Sequence, residues 1–469
     1  MSALWTADEI AAATGGTALA DFAVGNVVFD SRKVEAGDFF VALPGSAVDG
    51  HDFVARALAA GAAGALVTHV PEGVAPDAAL VVVPDTMAGL EDMARAARAR
   101  ADVVAIGVTG SVGKTGTKEA LKVALAPSGP THASVGSFNN HVGVPLSLAR
   151  MPRETRHGVF EMGMNHAGEL TPLSRLVRPH IAIVTTVEPA HMEFFASVEA
   201  IADAKAEIFA GVPAGGAAVL NHDNPHFERL AAAATARGLH VVGFGTAPGC
   251  HVRLLDLVLK PHMVIVDAMV GSRHLTYKIG TAGRHWAMNS LAVMAAVELS
   301  GADLSLAALA LAEMKPPAGR GRAHVITLAS GGSFTLVDES YNASPASMRA
   351  AFANLALSAP GPRGRRIAVL GDMRELGPGA DALHAGLADA LVASGVDLVY
   401  ACGPHMKALY EALPARIRGC HTTDSKSLAP YVSEAVRQAD VVVVKGSLGS
   451  YMVSIIDTLL KLDSTDSAL

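Results

Sequence analysis

The stretch ADVVAIGVTGSVGKTGTKEALKVAL, residues 101–125, limits what this chain can fold into more than any other. An apolar run ends in a glycine-bearing turn, and Gly-Lys-Thr then opens a run of helix formers. A buried strand that feeds such a turn at a helix N-terminus offers a row of backbone N–H groups to an anion. The turn from Gly110 to Gly113, with Thr109 and Ser111, is therefore expected to cradle phosphates. Lys114 would neutralise the terminal ones, and the Thr115 hydroxyl would bind Mg²⁺. The strict spacing GxxxxGK[ST] is not met, because its first glycine falls at Val108. The competing reading is a glycine turn followed by a solvated lysine; the flanking strand and helix weigh against it.

At 469 residues the chain is too long for one core, since cores stop growing at roughly 250–300 residues, so two or three domains are expected. It is 51% apolar but only 5% aromatic, and the surplus of Ala, Gly and Val suits parallel sheets covered by helices. A formal charge of -7 supplies no basic field for phosphate backbones, so nucleic acid is excluded as a partner. Cys250, Cys402 and Cys420 have no disulfide, zinc or redox-pair spacing. The start has no basic flank before an apolar core, and no run reaches the roughly 18 apolar residues of a membrane span. A soluble cytoplasmic protein without a membrane partner is expected.

The fold class expected is α/β in three domains. Residues 1–100 alternate VVFDSR, DFFVAL, GALVTHV and ALVVVPD with a helical stretch near 53–60, a small N-terminal α/β domain. Residues 101–318 form a central P-loop mononucleotide-binding domain, continued by HIAIVTTV, GAAVLN and HVVGFG up to the Pro/Gly-rich KPPAGRGR. Residues 319–469 carry SFTLVDESYNASP, RRIAVLGDM, VDLVYACG and VVVVKGS, a Rossmann-like domain with functional loops at the carboxyl ends of its strands.

Three further groups carry chemistry. The apolar strand in VFEMGMNHAGEL delivers Glu161 to its carboxyl end, where a carboxylate suits Mg²⁺. AIVTTVEPAHMEFF ends another strand with Glu188 and His191, and Lys205 follows on a helix fourteen residues after the histidine. Singly, each is an ordinary solvated or hydrogen-bonded residue. The case rests on the set.

That set, GVTGSVGKT, SFNNHVGVPLSL, FEMGMNHAGEL, TTVEPAHMEFF, AKAEIF, GRHWAMNSLA, DESYNASPASM, GDMRELG and VKGS, resembles the Mur ligase family over essentially the whole chain. The resemblance implies an ATP-dependent amide ligase that adds D-alanyl-D-alanine to a UDP-N-acetylmuramoyl tripeptide through an acyl phosphate. ATP and Mg²⁺ are the cofactors it implies, and a monomer is expected. Lys114, Glu161, His191 and Lys205 take catalytic roles; Thr115, Glu161, His191 and a CO₂-carbamylated Lys205 serve metal positions. Asn289 matches an adenine-contacting asparagine, while Trp286 stands where the family has another, so stacking on the base is expected there. Arg320 or Arg322 matches an arginine that reaches the phosphates, the doubled GRGR leaving the register open. Glu339 takes a nucleotide-side role usually held by aspartate. Substrate contacts are implied for Asn139, Asn140 and Asn342, for Ser31 and Arg32 at the UDP end, and for Asp372 and Lys445 at the dipeptide end. The alternatives left open are a folylpolyglutamate synthase-like ligase and a P-loop ATPase switch module.

Overall fold

In the computed structural model, which describes residues 3–45, 48–190 and 192–464, three large sheets follow one another along the chain, beside a two-stranded pair of Trp5–Thr6 with Ala23–Val24. The first has the strand order Thr17–Ala18, Leu80–Val82, Gly64–Val67, Asp38–Val41 and Asn26–Val28, parallel except at the Thr17–Ala18 edge. Asp85 caps the helix Thr86–Arg100 by accepting from the Met87 and Ala88 amides, which satisfies donors the helix cannot. Leu90, Met93, Ala94 and Ala97 recur at helical spacing and are buried along one face. The first sheet is fastened to the next by Trp5 Nε1 donating to the Ala149 carbonyl at 2.8 Å and Arg98 Nε donating to Val177 at 2.8 Å.

The central sheet has nine strands. Its parallel part runs Thr131–Ala133, His157–Glu161, Val104–Thr109, Ile181–Val184, Ala217–Asn221, His240–Gly245 and Val252–Leu259. The chain leaves Val104–Thr109 in one direction for Thr131–Ala133 and later returns to its other side at Ile181–Val184. Such a reversal opens a crevice beyond the carboxyl ends of the strands. Val264–Val270 and Arg273–Ile279 extend the sheet as an antiparallel meander that the sequence reading did not anticipate. Val264–Val270 alternates buried and partly buried residues, because the long helix Arg284–Leu299 covers one face only.

The third sheet runs Arg322–Thr327, Ser333–Glu339, Val441–Lys445, Arg366–Gly371, Leu398–Cys402 and Arg418–Thr422. Only the Arg322–Thr327 edge is antiparallel. Register sets Glu339 directly beside Lys445, at the carboxyl ends of adjacent strands. The α/β class in three parts is met.

One buried group gives the packing a pH dependence. His132 lies on Thr131–Ala133 with Nε2 2.7 Å from the Ser147 carbonyl, and burial pushes its pKa from 6.5 down to about 4. The unfolded chain therefore takes up the proton first; stability is complete above pH 6.5 and falls as the pH drops toward 4. We expect a loss of about 1–3 kcal/mol across that window. Urea unfolding should show this slope in the wild-type protein and a shallower one in His132→Gln; equal slopes would remove the assignment.

Candidate functional site

The carboxyl end of Val104–Thr109 turns through Gly110, φ +148°, and Gly113, φ +87°, into the helix Lys114–Leu125. The turn is tied to the neighbouring strand end. Ser111 N donates to the Thr186 carbonyl at 2.9 Å, Ser111 Oγ exchanges bonds with the Glu188 backbone, and Thr185 Oγ1 donates to Val112 O at 2.6 Å. A Cβ on Gly110 would stand 1.9 Å from Thr185 Oγ1, so no side chain fits there. Lys114 Nζ curls over the turn and donates to Gly110 O at 2.7 Å. Burial lowers its pKa, the nearby Glu161 carboxylate opposes that shift, and Arg320 adds to it.

Glu161 ends the strand His157–Glu161 with 1% of its surface exposed. Oε1 accepts from Asn139 Nδ2 at 2.7 Å, whereas Oε2 is buried without a protein partner. A lone buried carboxylate oxygen is expensive unless something else meets it. Thr115 Oγ1, also buried, is 3.3 Å from Ser137 Oγ. Hydroxyl and carboxylate oxygens are the donors that Mg²⁺ prefers, and it usually keeps waters and phosphate oxygens as well. Thr115 and Glu161 therefore fit the ion. Among the described residues no three His, Cys, Asp or Glu side chains come together as a metal cage.

Lys205 is buried on the helix Val198–Ala206. Burial holds its pKa well below the usual lysine range, and the charge of Lys114 pushes the same way. A neutral amine is the form to which CO₂ can add. His191 lies outside the described residues.

The opposite wall comes from the third sheet and the turn before it. Arg320 Nη2 donates to Ser137 Oγ at 3.3 Å, and its guanidinium lies 4.4 Å from the centre of the Tyr341 ring. Arg322 opens the exposed edge strand instead, so geometry brings Arg320 into the cleft. Lys445 Nζ donates to Glu339 Oε2 at 3.1 Å and to Asn342 O at 3.0 Å, with 3% and 16% of the two paired side chains exposed. Asp338 is spent on the backbone, accepting from the Gly319 and Ser340 amides at 3.0 Å, which leaves Glu339 as the carboxylate that faces the cleft. Ser344 caps the helix Pro345–Leu357 through the Ser347 amide.

A cleft of about 810 Å³ lies between these walls, lined by Ser111, Gly113, Lys114, Thr115, Glu161, Asn139, Asn289, Arg320, Glu339, Asn342 and Lys445. Asn289 sits beside the turn, about 3.0 Å from where a Gly113 Cβ would be. A second groove of about 1370 Å³ runs along Glu91 and Arg95 of the helix Thr86–Arg100 and past Asn140, Thr171 and Arg175. Asn139, Gly163, Met164 and Asn165 line both, so the two spaces adjoin.

Three expectations meet a different geometry. The Asp372 carboxylate points away from the cleft, accepting from the Met406 amide at 2.7 Å and the His405 amide at 3.4 Å, as a helix cap does. Trp286 is 5% exposed and presses its six-membered ring on Gly116, 3.0 Å from a Cβ built there, so it has little free face for a base. Ser31 and Arg32 line neither space: Arg32 pairs with Asp30 at 2.9 Å and Ser31 accepts from Arg56. Sequence reasoning also missed Ser137, Thr185 and Tyr341, whose parts depend on chain-distant partners that no local pattern announces.

Comparison with known proteins agrees with this assembly. Residues 23–104 match the model described as Mur ligase family, catalytic domain; 108–297 match the Mur ligase middle domain; 321–448 match the Mur ligase, glutamate ligase domain. A UDP-N-acetylmuramoyl-tripeptide--D-alanyl-D-alanine ligase of Rickettsia prowazekii is 30% identical over 97% of this chain and 99% of its own length. The crystal structure of MurF from Acinetobacter baumannii superposes with a TM-score of 0.82 at 27% identity, covering 97% of this chain and 99% of that one. MurF ligase from Thermotoga maritima in complex with ADP gives 0.76 at 26% identity, covering 94% and 98%. With its sheets, cleft and sequence all in agreement, the chain belongs to the Mur ligase family.

Proposed function

We propose that the chain is an ATP-dependent carbon–nitrogen ligase that joins D-alanyl-D-alanine to a UDP-N-acetylmuramoyl tripeptide in peptidoglycan precursor synthesis. One observation carries the reading: a single cleft brings Lys114, Thr115 and Glu161 from the central sheet against Arg320, Glu339 and Lys445 from the C-terminal part. The full-length likeness to ligases named for that reaction, and to one bound to ADP, supports the substrates.

A carboxylate is a poor acyl donor because its leaving group would be oxide. Phosphorylation by ATP turns that oxygen into a good leaving group, and the dipeptide amine then attacks the acyl phosphate and releases phosphate. Two anions must approach in the first step, and Lys114 and Arg320 offset their repulsion from opposite walls. Fixed donors aimed at developing charge in a site poor in water are worth several kcal/mol of barrier, of order 2.7–4 each. The Gly110–Gly113 turn holds the phosphates by backbone amides, and Asn139 fixes the Glu161 carboxylate. Mg²⁺ bound by Thr115 and Glu161, with Lys205 and His191 serving a second position, would supply Lewis-acid stabilisation of the transferring phosphoryl group.

Residues 1–100, 101–318 and 319–469 divide the work in this reading. The first holds the UDP end, the second the nucleotide, and the third the dipeptide. The adjoining groove and cleft suit an extended precursor that runs past Asn140 and Asn139 toward the phosphoryl end, with Asn342 and Lys445 on the amine side. Asn289 serves the nucleotide. Asp372 acts on the site through the segment it caps, not by contact. The reading carries a monomer, since one chain supplies both walls. It also carries the cytoplasm as its location, since ATP and a nucleotide-linked sugar are its substrates; among the described residues no helix is long and apolar enough to cross a membrane.

The test is an incubation with ATP, Mg²⁺, D-alanyl-D-alanine and the UDP-muramoyl tripeptide carrying either diaminopimelate or lysine. Phosphate should appear only when both acceptor and donor are present, with a product whose mass is their sum less water. ATP turnover without them would favour a switch module and overturn the ligase.

A further inference from the structure

Lys118 has none of its side chain exposed and lines neither the cleft nor the groove. It lies one turn below Lys114 on the helix Lys114–Leu125. Its ammonium donates to Ser134 O at 2.7 Å and Gly136 O at 2.9 Å, and is ion-paired with Glu119 Oε1 at 2.5 Å. Both carbonyls belong to the turn after the strand Thr131–Ala133, which reverses at Gly136, φ +56°, and closes with Phe138 N on Val135 O at 3.3 Å.

The residues that follow those carbonyls reach the phosphoryl end of the cleft. Ser137 Oγ is 3.3 Å from both Thr115 Oγ1 and Arg320 Nη2, and Asn139 Nδ2 is 2.7 Å from Glu161 Oε1. A methionine of similar length would fill the space of Lys118 but leave the buried Ser134 carbonyl and the half-buried Gly136 carbonyl without this donor. Removing one partner of a buried charge set is itself costly, so a loss of stability alone does not distinguish a role in the site. The placement does: the ammonium ties the turn to the same helix that carries Lys114 and Thr115.

We propose that Lys118 is a positioning residue of the ligase, fixing the Ser134–Asn139 turn so that Ser137 and Asn139 hold Thr115, Arg320 and Glu161 in place for nucleotide and Mg²⁺. The proposal rests on the ligase reading and deepens it. Lys118→Met should weaken binding of MgADP, followed by calorimetry on the whole protein, by about tenfold. It should raise the Mg²⁺ concentration needed for half-maximal ADP binding by a similar factor, and raise KM for ATP more than it lowers kcat. Lys118→Gln, which keeps N–H donors, should recover part of the loss. Asn139→Ala should reproduce the Mg²⁺ shift, and the double variant Lys118→Met/Asn139→Ala should lose less than the sum of the two. MgADP affinity and KM at wild-type values, with only the melting temperature lowered, would overturn the proposal. Recovery of both lysine variants only as unfolded chain would overturn it too, since the lysine would then be a determinant of the fold. Dipeptide ligation by the wild-type protein in the same series reports separately on the ligase reading.

Discussion

Lys114→Ala should lower the single-turnover rate of dipeptide ligation by at least about 10²–10³-fold, the effect of removing one preorganised donor from a developing anion. The fold should survive. Lys114 is held in part by Gly110 O, and burial already disfavours its charge, so removing the ammonium also relieves desolvation. The melting temperature should therefore stay near the wild-type value while rapid-quench phosphate release collapses. Near-normal ligation in this variant would mean that some other cation meets the γ-phosphate, and the site would have to be redrawn.

Gly110→Ala should be the most damaging single methyl group that can be added to the chain's phosphate turn. The position combines φ +148° with a Cβ site 1.9 Å from Thr185 Oγ1, and Thr185 is itself bonded to Val112 O. Either the threonine leaves its carbonyl or the turn moves. We expect a stability loss of about 2–4 kcal/mol, together with loss of measurable ADP binding. Gly73→Ala is the control: φ is +80° but nothing lies within 4 Å of the added carbon, so only the backbone preference of roughly 1 kcal/mol applies. Equal losses at the two sites, in urea unfolding, would show that the collision with Thr185 is absorbed elsewhere.

The parts of the site legible in the sequence are those built from one strand and what directly follows it. Lys114, Thr115 and Glu161 were readable because strand, turn and helix signals are contiguous. The choice between Arg320 and Arg322 was not, because Ser137 and Tyr341 decide it from distant parts of the chain. Asp372 shows the converse: a carboxylate after an apolar strand looks functional, yet the amides of His405 and Met406, more than thirty positions on, claim it. Lys118 looks like an ordinary solvated helix lysine until the 134–136 turn folds over it. The meander at 252–279 escaped because one-sided burial lets charged residues interrupt the apolar run, as in RLLDLVLK.

The strand Val441–Lys445 is the last in chain order, yet it lies in the interior of its sheet, between Ser333–Glu339 and Arg366–Gly371, and it delivers Lys445. Until the ribosome has released that segment, the third sheet has a gap where this strand belongs and one wall of the cleft has no frame. A chain cut short before this strand would keep its phosphate turn yet lack both Lys445 and the strand that joins the two halves of the third sheet.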